Sequence, residues 1–165
     1  MEVEVDIEEP WPAGAWEQLA NRCGSALAEV TAELANPRLS ASLLFTSDEE
    51  VHALNREWRQ RDKPTNVLSF PMLARADLLG LAPDGPPELF GDIALAYETC
   101  ARGATEKGIA IEQHTAHLII HGLLHLAGYD HEQSEEAEAM EALEVKALAL
   151  IGVADPYEPR DEAQG

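Results

Sequence analysis

The stretch His114-Thr-Ala-His117-Leu-Ile-Ile-His121-Gly-Leu-Leu-His125-Leu-Ala-Gly128-Tyr-Asp-His131 governs how the rest of the chain is read. Leu118, Ile119, Ile120, Leu123, Leu124 and Leu126 leave it apolar nearly all round, and a helix of that kind is buried. At about 100° per residue, His114, His117, His121 and His125 fall on one stripe roughly 80° wide. A buried stripe of imidazoles needs a partner for every ring nitrogen, and a shared metal ion answers that need. His121 and His125 project one turn apart from the same face. Gly128 can take a left-handed cap and turn the chain back, which could bring His131 to the same ion. Three nitrogens with an open fourth position describe a catalytic zinc site, whereas structural sites close with a fourth protein ligand. His117 and His121 share the same spacing, so spacing alone leaves that pair open; the glycine turn followed by His131 favours His121 and His125. His117 then reads as a residue supporting the ligands or packing beside them, and His114 as solvent-side or structural. Asp130 reads as orienting a ligand imidazole, with a general base as the alternative.

Outward from this helix, strands and helices interleave. Residues 2–7 alternate acidic and apolar side chains, the period of a half-exposed strand. Trp16, Leu19, Cys23, Leu27, Val30 and Leu34 recur at helical spacing, which predicts a helix over 14–35 ended by Asn36-Pro37. Residues 40–46 read as a strand, and Ser47-Asp-Glu-Glu50 as a capping box opening a helix that carries Val51, Leu54 and Trp58. A short strand over 66–70 is closed by Pro71. The prolines and glycine of 74–90 predict a surface loop. A buried strand over 92–97, helices over about 98–107 and 110–126, and a last helix after Ser134 complete the chain. That last helix carries Met140, Leu143, Ala147 and Ile151 on one face, and its glutamates read as solvated. The expectation is an α+β domain: a small mixed sheet of about four strands packed with about five helices, the metal site on a buried central helix and the turn after it. A single catalytic domain over 1–153 is followed by a tail, 154–165, expected to fray.

The chain has 165 residues, 31 acidic against 11 basic, for a formal net charge of −20. At 45% hydrophobic it can bury a real core. No apolar run approaches the roughly 18 residues a membrane span needs. The acidic N-terminus is unlike a signal or transit peptide, and Cys23 and Cys100 stand alone, which argues against a disulfide scaffold. A cytoplasmic location is expected. The acidity speaks against wholesale phosphate affinity, yet Arg56, Arg59, Arg61 and Lys63 concentrate four of the eleven basic residues within eight positions. That cluster is either a solvated helix end or a local track for nucleic acid.

The spacing HxxxHxxGxxH is also the skeleton of a metzincin peptidase, HExxHxxGxxH. Here Gly122 stands where the peptidase carries its glutamate base, which weakens that reading. A phosphodiester centre can instead rely on a metal, an arginine and positioning.

The run His121-Gly-Leu-Leu-His-Leu-Ala-Gly-Tyr-Asp-His131 resembles the motif of the YbeY endoribonuclease family of bacterial rRNA maturation factors. Leu54-Asn55 through Arg59, Lys63-Pro-Thr-Asn-Val-Leu-Ser-Phe-Pro71, Gly91-Asp-Ile-Ala-Leu-Ala96, Met140-Glu-Ala-Leu-Glu144 and Gly152-Val-Ala-Asp-Pro-Tyr157 resemble further family blocks, in family order. Asn66 departs from the aspartate that many members carry. The resemblance implies one metal ion, usually taken as Zn2+, on His121, His125 and His131. It implies an arginine on RNA phosphate, here Arg59, and a single-strand-specific endoribonuclease acting in 16S rRNA 3′-end maturation and ribosome quality control. Arg61 and Lys63 could extend the contact along the strand. Three imidazoles also suit nickel, copper or iron. The partners expected are single-stranded rRNA and the ribosome or its proteins. Two other readings stand beside this one: a metzincin-like metallopeptidase, and a metal-stabilised ribosome-assembly factor without turnover, whose acidic surface suits basic ribosomal proteins.

Overall fold

A computed structural model of the chain describes residues 1–59, 66–129 and 134–157, the side chains of Trp58 and Arg59 apart. Four strands, β1 (Glu2–Ile7), β2 (Leu39–Thr46), β3 (Val67–Pro71) and β4 (Glu88–Ala96), form one sheet in the order β1-β2-β4-β3. The first two pairings are parallel and the last is antiparallel, so the sheet is mixed. Six α-helices accompany it among the described residues: α1 (Trp16–Val30), α2 (Asp48–Arg59), α3 (Arg75–Leu79), α4 (Tyr97–Lys107), α5 (Ile111–Leu126) and α6 (Ser134–Leu150). The α+β class and the four-stranded mixed sheet agree with the sequence reading; the helix count rises from about five to six.

Strand periodicity sorts the two faces. Val3, Ala41 and Gly91 lie level across the strands, as do Val5, Leu43 and Ile93, then Phe45 and Leu95. Leu39, Ala41, Leu43 and Phe45 are buried in the main core with side chains from α1, α5 and α6. The alternate residues face the other way, where Val51 of α2 covers Leu68, Ala94 and Ala96. The sheet is therefore a layer between helices, with α5 against β3 and β4.

Two glycines let α5 lie close to the sheet. A Cβ on Gly91 would meet the Leu126 side chain and stand 2.7 Å from the Phe70 carbonyl oxygen. A Cβ on Gly122 would stand 2.9 Å from Ile93 Cδ1. Gly122 and Leu126 lie about 100–140° round the helix from the histidine stripe. The helix thus rests on the sheet by one side and turns its histidines away from it.

Two local expectations are corrected. The helix predicted over 14–35 ends at Val30: Thr31 is extended, with φ −133° and ψ 101°, and a 3-10 turn follows at Ala32–Ala35. The apolar spacing continues through that turn because Leu34 is buried in the same core, so periodicity alone hid the break. The loop predicted over 74–90 contains α3 and the first residues of β4. Its prolines lie in the short stretch between those elements, leaving Leu78 buried and β4 free to pair from Glu88.

Candidate metal centre

α5 ends as its sequence predicts. Gly128 has φ +96°, and its N–H bonds the His125 carbonyl at 2.9 Å while that of Tyr129 bonds the Leu124 carbonyl at 3.0 Å. Gly128 is also sterically required, because a Cβ there would stand 2.7 Å from Arg75 Cβ. Arg75, on α3, holds this turn from outside. It donates to the Ala127 carbonyl at 2.7 Å and to Glu33 at 2.9 Å, and its guanidinium lies 4.5 Å from the Tyr129 ring centre. The Tyr129 hydroxyl donates to the same Glu33 carboxylate at 3.1 Å.

Along the stripe, the rings of His121 and His125 are 4.6 Å apart between centres and those of His117 and His121 6.2 Å apart. His121 and His125 are half-buried and His117 is buried. The first pair presents two imidazoles on one side of the helix, a donor set that fits a borderline divalent cation such as zinc.

A residue that the sequence reading left on the solvated face joins them. Glu144 of α6 is fully buried. Its Oε2 accepts from His121 Nδ1 at 2.6 Å and its Oε1 from His117 Nε2 at 3.1 Å. Its Oε1 also accepts from the Tyr157 hydroxyl in a short bond. Burial pushes the Glu144 carboxyl up, but the hydrogen bonds from His117, His121 and Tyr157 and the charge of His121 outweigh it and hold the group down at about 2. Burial, followed by the bond to Glu144 and the nearby carboxylates, pushes the Tyr157 hydroxyl upward, so it stays a donor. Donor atoms of His117, His121 and Glu144 lie within 4.8 Å of one another, so this group could itself hold a metal ion. One signal in the sequence pointed to Glu144: with Met140, Ala147 and Leu148 it occupies positions i, i+4, i+7 and i+8, the buried stripe of α6.

His114 takes the structural alternative of the two that the sequence left open. It is buried rather than solvent-side, packed against Gly103 of α4, and neither ring nitrogen has a hydrogen-bond partner among the described residues. Burial, with lesser effects of Lys107 and His117, pushes it down to about 4, so the ring is neutral. Tyr157 belongs to the stretch expected to fray after 153. Its hydroxyl reaches Glu144, and its backbone N–H bonds Asp155 Oδ1 at 2.8 Å.

Arg59 is the last residue of α2, with its side chain outside the described residues. Arg61 and Lys63 in 60–65, and Asp130 and His131 in 130–133, also lie outside them. No helix among the described residues is long and apolar enough to cross a membrane.

The family model described as Endoribonuclease YbeY matches residues 6–152. A protein of that name from Erythrobacter litoralis is 62% identical over 161 residues, covering 97% of this chain and 99% of the relative. Another, from Novosphingobium aromaticivorans, is 55% identical, covering 96% and 97%. The solution structure of a Thermotoga maritima protein shares the fold, with a TM-score of 0.58 at 24% identity over 95% of this chain and 99% of that one. With the family model spanning nearly the whole chain and a relative above 60% identity, this chain belongs to the YbeY endoribonuclease family.

Proposed function

We propose that this protein is a zinc-dependent, single-strand-specific endoribonuclease that acts in 16S rRNA 3′-end maturation and ribosome quality control. The observation that carries the reading is the His121–His125 pair, with rings 4.6 Å apart on one side of α5, in a chain of this family. His121, His125 and His131 would hold the ion, the last delivered by the turn at Gly128. Zinc bound there would supply Lewis acidity toward a phosphoryl oxygen.

The chain's own residues do the rest. Arg59, at the end of α2, offers a planar donor fork that suits a phosphate bidentately. Arg61 and Lys63 extend the cationic track along the strand, which suits a single-stranded substrate bound without a broad basic surface. Asp130 orients a ligand imidazole. The substrate class places the activity in the cytoplasm, where the acidic remainder of the surface suits basic ribosomal proteins.

The test is cleavage of a labelled single-stranded rRNA fragment by ribonuclease-free protein of measured metal content, beside a His125→Ala control. One zinc per chain, with cleavage that disappears in the control, is the expected result. Cleavage unchanged in the control overturns the reading. Zinc without cleavage favours an assembly factor without turnover.

A further inference from the structure

We propose that Glu144, braced by Tyr157, is a positioning residue that fixes the tautomer and orientation of His121 so that its Nε2 faces the metal. The proposal rests on the zinc reading above and assigns a task to two residues that lie outside its three-histidine ligand set.

The argument is one of donors and acceptors. An ionised carboxylate only accepts hydrogen bonds. Glu144 receives His121 Nδ1 at 2.6 Å, His117 Nε2 at 3.1 Å and the Tyr157 hydroxyl. Its environment contains three donors for two oxygens and leaves it fully buried. His121 must therefore carry its proton on Nδ1. In the neutral ring the lone pair then lies on Nε2, on the far side from Glu144, and the hydrogen bond to a carboxylate makes that nitrogen a better ligand. Glu144 is thereby engaged as an acceptor from both histidines, which argues for orienting a ligand over being one.

His117 has a consistent part. Donating from Nε2, it is shared between Oε1 at 3.1 Å and the Tyr157 hydroxyl oxygen at 3.0 Å, while that hydroxyl itself donates to Oε1. The Tyr157 ring stacks edge-on against His117, with centres 5.3 Å apart and planes at 87°. Residues 154–157 are thus part of the centre: they carry the phenol that closes the hydrogen-bond shell of the carboxylate.

An amide cannot substitute for this carboxylate. A glutamine offers one accepting oxygen and one donating NH2, so it cannot receive all three donors. Either His121 moves its proton to Nε2 and loses the ligand lone pair, or the amide turns and abandons His117 and Tyr157.

The experiment uses the full-length chain stripped of metal, at pH 8. Long-range 1H–15N correlation reads the tautomer of each histidine, and zinc titration against a competing chelator reads affinity. The wild type is expected to show His121 protonated on Nδ1. Glu144→Gln is expected to weaken zinc binding about 10- to 100-fold and to disturb the His121 or His117 pattern. Tyr157→Phe keeps the ring packing and loses one donor, and should weaken zinc binding by only a few-fold, about 2- to 5-fold. It serves as the second variant if Glu144→Gln does not fold. The proposal is overturned by His121 protonated on Nε2 in the wild type, by wild-type zinc affinity in both variants, or by X-ray absorption showing a carboxylate from Glu144 among the zinc ligands. A wild type that binds no zinc overturns the zinc reading instead, while the tautomer measurement still tests Glu144.

Discussion

Gly122 and Ile93 meet so closely that a Cβ on the glycine would stand 2.9 Å from Ile93 Cδ1, with Ser69 Oγ at 3.2 Å. This is the position at which a zinc peptidase of the HExxH type carries its glutamate. The helix that bears the histidines lies against the sheet there, and a longer side chain has no room. Gly122→Glu restores the peptidase skeleton in sequence but buries a carboxylate against β3 and β4. It should destabilise the protein by about 3 kcal/mol or more and give no chelator-sensitive cleavage of unstructured protein. Denaturant unfolding and a casein assay check both halves. A variant as stable as the wild type that cleaved casein would revive the peptidase reading.

Arg75 ties α3 to the turn from which the chain continues toward His131. Arg75→Ala removes the bond to the Ala127 carbonyl, the pairing with Glu33 and the cation over Tyr129. Since the guanidinium is partly exposed, the expected loss is modest, about 1–2 kcal/mol. Arg75→Lys should recover little of it, because an ammonium cannot reproduce the planar fork. A shift in urea midpoint equal in both variants would support the geometry; full recovery by lysine would reduce the contact to simple charge.

His114 makes acid stability measurable at one site. Its folded value, about 4, lies below the ordinary value of 6.5, so the unfolded chain binds the proton more readily. Its contribution is fully present above about pH 6.5 and is lost as pH falls toward 4. Between pH 7.5 and 5.5 the wild type should lose about 1 kcal/mol more than His114→Phe, whose ring does not titrate. Parallel unfolding midpoints for the two proteins across that range would remove the assignment.

Cys23 and Cys100 should both be inert in the native protein. Burial is the leading cause that pushes each thiol up to about 12, so thiolate is scarce at pH 8. Neither should react with a disulfide reagent until the chain unfolds, when both should be titrated. Rapid labelling of the folded protein would show that its core opens.

Much of this protein was legible without coordinates because the signals are local. The alternation over 2–7, the polar opening of α2 and the apolar ring of α5 each reflect a period set by backbone geometry, and β1, α2 and α5 form where those periods place them. The pairing of His121 with His125 and the turn at Gly128 follow from helix pitch and from a conformation that glycine adopts at little cost. The break at Thr31 was not legible, since the 3-10 turn keeps Leu34 on the same buried side. Nor was α3, whose five residues are too few to establish a period.

Sequence by itself determined the fold class, the buried helix and the stripe of imidazoles upon it. Tertiary structure alone decided what the glutamate on the buried stripe of α6 meets. Glu144 is separated from His121 by 23 positions and from His117 by 27, and only the packing of α6 on α5 brings its carboxylate to both. A periodic pattern reports which side of an element is covered. The partner met on that side depends on chain crossings far apart in sequence, where a buried charge is stable only if the neighbours it meets can donate to it.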